Sequence, residues 1–171
     1  MKVKEIKINE IFIIGLVFAV MTICLWDFAK SFHRVYEAEE ARLAGPRKAR
    51  HHVGYSGSGY VDYQSGSRGF VEWTIDVPWT DEYLIGFRYA LGGKTDRPLN
   101  VLINDAKARE LPFSRTGGWD TWGEDEMKVM LEAGKNSIKA VATGKSGPNI
   151  DRMTVTRVSK GIFGLWRGKR I

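Results

Sequence analysis

The stretch Phe70-Val71-Glu72-Trp73-Thr74-Ile75-Asp76-Val77 constrains this chain more than any other. Val71, Trp73, Ile75 and Val77 fall at every second position, and Pro78 stops the run. A period of two places those four side chains on one face of a β-strand, so the strand must lie in a sheet with one side against a core. The pattern recurs. Tyr83, Ile85, Phe87 and Tyr89 alternate against Leu84, Gly86 and Arg88; Leu99, Val101 and Ile103 form another face, followed by Asn104-Asp105 as turn residues. Met127, Val129 and Leu131 lead into Glu132-Ala133-Gly134-Lys135-Asn136, a hairpin-length loop, and Ile138 to Ala142 returns; Met153 to Thr156 closes the series. No run of helical period interrupts it. Short alternating strands at regular turn spacing predict an all-β chain folded as a β-sandwich. A hydrophobic content of 43%, of which aromatics are a large part, is enough to fill its core.

The N-terminus is of another kind. Lys2, Lys4 and Lys7 in a basic flank, residues 1–10, precede an apolar run over residues 11–26 that Asp27 ends. That is a membrane-targeting pattern, an apolar helix serving as a cleaved signal peptide or an uncleaved signal anchor. No small-x-small cleavage site follows, because the next residues are Asp27-Phe28-Ala29-Lys30, and this favours the anchor. The lysines before the run keep the N-terminus cytoplasmic and send the rest across. Residues 27–34 read as a linker, 35–157 as the sandwich and 158–171 as a basic aromatic tail. The one cysteine, Cys24, lies in the apolar run, so no internal disulfide forms.

The net charge of +6 would suit a nucleic-acid partner if it were spread over a folded face. Five basic residues and no acidic ones stand from Arg157 onward, which leaves about one net charge for everything before. Nucleic acid is therefore excluded as the partner of the sandwich. The tail sets Ile162, Phe163, Leu165 and Trp166 among its basic residues, a composition suited to an anionic membrane surface as well as to a frayed end.

Gly117-Gly118-Trp119-Asp120-Thr121-Trp122-Gly123 places two indoles three residues apart between glycines. A planar ring exposed beside polar groups fits a sugar, whose ring offers an apolar C–H face and an edge of hydroxyls; the alternative is that both rings are core. Trp122, which starts a strand, is assigned to the core, and so is Trp73.

Seven segments in order now resemble the carbohydrate-binding modules of families 6 and 35. They are Tyr36-Glu37-Ala38-Glu39; Gly54 to Asp62; Val71-Glu72-Trp73; Phe87-Arg88-Tyr89-Ala90; Gly117 to Gly123; Leu131 to Asn136; and Gly147-Pro148-Asn149-Ile150-Asp151. The resemblance spans about Val35 to Arg157 and implies a jelly-roll sandwich that binds polysaccharide or oligosaccharide and performs no chemistry. It implies Trp119 as the stacking platform, Asn149 as hydrogen-bond donor and acceptor and Tyr60 as a second wall, with Tyr55 and Asp120 at the rim. A structural or adhesion sandwich that contacts protein is the alternative.

Glu37 and Glu39 stand two apart, so in a strand their carboxylates share a face; paired like charges call for solvent or a cation, and hard oxygen ligands suit Ca²⁺. The resemblance implies a structural Ca²⁺ held by Glu37, Glu39 and Asp151, with backbone carbonyls such as that of Arg68. Other chemistry finds little support. Adjacent His51 and His52 would diverge in a strand and have no third ligand at metal spacing. Glu124, Asp125 and Glu126 form an acidic run that reads as solvated surface rather than a glycoside-cleaving pair. No nucleophile elbow, P-loop or dinucleotide fingerprint is present, so no catalytic residue is assigned.

Overall fold

The computed structural model describes residues 15–17, 19, 31–64, 69–144 and 146–158. The chain divides into two units, residues 33–158 and a second made of residues 1–32 with 159–171. In the second, Gly15 to Val17 and Ala19 are helical. The remainder of the expected apolar helix over residues 11–26, Cys24 among them, and the tail from residue 159 on lie outside the described residues. Among the described residues no helix is long and apolar enough to cross a membrane.

Residues 33–158 form eleven strands: β1 His33–Glu37, β2 Arg42–Ala44, β3 Arg47–Ala49, β4 Tyr60–Asp62, β5 Phe70–Val77, β6 Asp81–Ala90, β7 Leu99–Ile103, β8 Ala106–Leu111, β9 Trp122–Leu131, β10 Gly134–Ala142 and β11 Asn149–Arg157. One sheet runs β3-β4-β11-β6-β9, with β1 also paired to β11; the other runs β2-β5-β10-β7-β8, and every pairing is antiparallel. The expected β-sandwich is present.

The alternating faces meet where the sequence places them. Val71, Trp73, Ile75 and Val77 of β5 are buried, as are Tyr83, Ile85, Phe87 and Tyr89 of β6 in the opposite sheet. Trp73 and Phe87 bridge the layers with ring centroids 5.8 Å apart, and Phe113 closes on Phe87 and Tyr89 at 5.9 and 4.9 Å. Each such side chain contributes about 1.5–3 kcal/mol on leaving water. Asn104 and Asp105 take positive φ, 50° and 65°, between β7 and β8, the two-residue hairpin chemistry expected of Asn-Asp. The strand β1 starts at His33 and pairs with Thr156, so it takes in the end of the expected linker.

Candidate functional site

The ladder sets the site. Asp62 and Ala90 both pair with Asn149, and Ala90 pairs in turn with Trp122, so Asp62, Asn149, Ala90 and Trp122 form one row at one end of the first sheet. Directly paired residues share a face, and β6 buries its odd-numbered side chains, so this row points outward, away from the core. The assignment of Trp122 to the core is therefore corrected. It is even-numbered in a strand whose buried residues are Met127 and Leu131, and it is half-buried on the outer face.

The loop between β3 and β4, residues 50–59, roofs that face. Tyr60 beneath it is fully buried, its ring 5.7 Å from Trp122, 5.8 Å from Tyr55, 5.8 Å from His51 and 5.9 Å from His52. Its hydroxyl is 3.1 Å from His51 Nε2. Tyr60, expected as a second wall of the site, is the fully buried floor of this ring cluster. The two histidines do not diverge: off any strand, their rings sit 4.5 Å apart, and sequence reasoning missed both as members of this cluster. Contacts with Tyr60 and, for His52, with Trp119 and Asp120 bring them there.

Trp119 is half-buried, with His52 stacked against it at 6.1 Å and 22°, and with the Arg97 guanidinium 5.2 Å from the ring. It also packs on Gly92, where a Cβ would lie 2.6 Å from Trp119 Cδ1. Asp120 is exposed and holds the loop, accepting from Val53 N–H at 2.8 Å and facing His52 Nδ1 at 3.3 Å. Asn149 is buried at 3% exposure; among the described residues none hydrogen-bonds its side-chain amide, which is not one of the fully buried unpaired groups. The predicted residues Tyr55, Tyr60, Trp119, Asp120 and Asn149 therefore lie at one end of the sheet, on the outer row or in the loops beside it.

The carboxylates meet on the next part of the same loop. Glu37 ends β1, and Ala38–Glu40 is a single 3-10 turn, so the two glutamates do not share a strand face as expected. The turn brings both to the Ser56–Ser58 segment all the same. Glu37 Oε2 accepts from Ser56 Oγ at 2.8 Å, and Glu39 Oε1 accepts from Ser58 N–H at 2.6 Å. A Cβ at Gly57, φ +62°, would come within 2.5 Å of Glu39 Oε1 and 3.0 Å of Glu37 Cδ, so the position needs glycine on both counts. Asp151, fully buried, accepts from Ser56 N–H at 2.7 Å and pairs with Arg88 at 2.5 Å and Arg152 at 3.3 Å. A register shift in β11 between Ile150 and Arg152 makes this possible, because a bulge re-aims the residue it frees.

Electrostatics mark the cluster as strained. Burial, then the charges of Glu39 and Asp151, raise the Glu37 carboxyl above its ordinary range against the Ser56 hydrogen bond and Arg152. Glu39, 2% exposed, leaves Oε2 buried without a hydrogen-bond partner. An orphan carboxylate oxygen beside a second glutamate suits a hard cation, while Asp151 already holds Arg88 and Arg152. Among the described residues no three His, Cys, Asp or Glu side chains close into metal-ligating geometry. Arg68, the expected carbonyl donor, lies outside the described residues. Of the acidic run, Glu124 and Glu126 are exposed, but Asp125 is structural: its Oδ2 accepts from Phe113 N–H at 2.9 Å, where Phe113 holds φ 43°.

Comparison with known proteins agrees with this architecture. Residues 44–157 match the family model for "Carbohydrate binding module (family 6)". The chain is 40% identical over 122 residues to an exo-beta-D-glucosaminidase of Amycolatopsis orientalis, covering 70% of this chain and 12% of that protein. It is 33% identical over 151 residues to a cycloisomaltooligosaccharide glucanotransferase of Niallia circulans, covering 84% and 15%. The chain thus spans a small part of the curated relatives it matches. Among solved structures it resembles a family 35 carbohydrate binding module from Clostridium thermocellum, with a TM-score of 0.72 at 32% identity, covering 74% of this chain and 99% of that one. It also resembles the family 35 module of Paenibacillus barcinonensis, with a TM-score of 0.69 at 37% identity, covering 73% and 99%. With a sandwich of two antiparallel sheets, an outward aromatic cluster and these matches, the chain belongs to the carbohydrate-binding modules of the family 6 and family 35 type.

Proposed function

We propose that the outer-face cluster of the first sheet is where this module takes its glycan, and that it does so without converting it. Trp119 supplies the stacking face, Asn149 the donor and acceptor, Tyr55 and Asp120 the rim, and Tyr60 the floor that holds the others. One observation carries the reading. Asn149 is 3% exposed in the row beside Trp122, no described residue takes its side-chain amide, and that amide is not among the fully buried unpaired groups, so it is left open to a ligand. A sugar hydroxyl both donates and accepts, so it can pair with either end of that amide. Titration of soluble oligosaccharides followed by calorimetry tests this: Asn149→Ala weakens binding about tenfold or more, and unchanged affinity removes Asn149 from the site.

Glu37, Glu39 and Asp151 would hold a structural Ca²⁺, with backbone oxygens such as that of Arg68. The ion supplies charge neutralisation and ties the first strand to the last; it takes no part in a reaction. Residues 11–26 would act as a signal anchor that exports the module with the N-terminus cytoplasmic. Release of the chain from membranes by alkaline carbonate would reject the anchor and leave a cleaved, secreted form.

A further inference from the structure

Arg88 stands on the outer face of β6, two residues before Ala90 of the Trp122 row. Its guanidinium has three engagements. Nη1 pairs with Asp151 Oδ2 at 2.5 Å, Nη2 donates to Gly54 O at 2.9 Å, and the guanidinium lies over the Trp122 ring at 5.1 Å. Trp122 in turn donates from Nε1 to Val53 O at 2.9 Å. The carbonyls of two consecutive loop residues are thus held by two side chains that also touch each other. Gly54 fits there only as glycine: φ is +84°, and a Cβ would lie 3.1 Å from Trp122 Nε1. From this clamp the loop runs one way to His52 beside Trp119, and the other way to Ser56 and Ser58 on the carboxylates. Arg152 also pairs with Asp151, at 3.3 Å, but among the described contacts it reaches neither Gly54 nor Trp122.

We propose that Arg88 is a positioning residue for glycan binding, tying the acidic cluster to Trp122 and to the loop segment that faces Trp119. A planar fork can serve two acceptors while its face rests on an indole; an ammonium cannot do all three. The inference rests on reading this face as the glycan site.

The test uses the full chain in detergent and follows the indole N–H of Trp122 by ¹H–¹⁵N NMR, assigned with Trp122→Phe. Arg88→Met shifts that resonance and speeds its hydrogen exchange roughly fivefold or more. Arg152→Met, which takes the other cation from Asp151, leaves it in place, and Arg88→Lys gives a partial shift. If Arg88→Met does not fold, Arg88→Lys against Arg152→Met decides. An indole unmoved by the Arg88 substitutions, or moved as far by Arg152→Met, overturns the proposal. The readout needs neither glycan nor metal. A blank glycan screen with an Arg88-dependent indole would remove the glycan reading and with it the role in glycan binding, leaving Arg88 as the residue that ties the loop to Trp122. Glycan binding with an indole indifferent to Arg88 would remove this inference alone.

Discussion

At Glu37 the fold opposes ionisation: burial comes first, and Glu39 and Asp151 add like charge. A carboxyl whose pKa folding raises adds its stability in full below the free glutamate value of about 4.3, and loses it as pH rises through the raised value. At neutral pH without a divalent cation, ionised Glu37 therefore weighs against the fold. Glu37→Gln in chelator should melt at or above the wild-type temperature at pH 7, the gap closing as pH falls towards 4. In calcium the wild type should gain stability and the variant should not. A variant less stable than wild type in chelator at every pH would contradict this. Trp119 and Tyr60 separate binding from packing. Tyr60→Ala empties a fully buried position and costs about 3–5 kcal/mol by denaturant unfolding. Trp119→Ala, at a half-buried ring, stays within about 1 kcal/mol of wild type yet loses glycan affinity at least about tenfold. A stability loss as large as that of Tyr60→Ala would show that the Trp119 ring is core.

At the scale of elements, the loop over residues 50–59 does the organising, since one segment carries the histidines, Tyr55 and the serines that the carboxylates grip. Arg50 is exposed where the loop begins. Calcium should slow tryptic cleavage after Arg50, followed by mass spectrometry, and chelation should restore it; a rate indifferent to calcium would separate the ion from the loop. What could be read in the sequence follows the same division. Alternation marked β5, with both its ends, and the buried faces of β6, β7, β9 and β10, because each has one side on the core. The strands β2 and β3 are three residues each, too short to show a period, and β8 is exposed over all but Leu111, so neither face patterns. Trp122 was legible and missed: its even number opposes Met127 and Leu131. The glutamate pair was placed in a strand because spacing alone does not reveal the 3-10 turn at Ala38–Glu40. His51 and His52 join the site through Tyr60 and Trp119, contacts that local sequence does not encode.

At the scale of the whole molecule, residues 33–158 are one compact unit with a core shared by two sheets, so the binding function can be examined on that unit alone. The resemblance of seven ordered segments picked out the candidate residues; the loop that joins them appears only when the chain is folded. The relatives it matches are much longer proteins, of which this unit corresponds to a small part. The most direct measurement is a glycan-array screen of residues 33–158, run in calcium and again in chelator. The proposed function predicts binding to a defined polysaccharide or oligosaccharide in calcium, with the signal reduced in chelator. A blank array from a folded, calcium-stabilised domain would contradict it and leave the sandwich as a protein-contacting module.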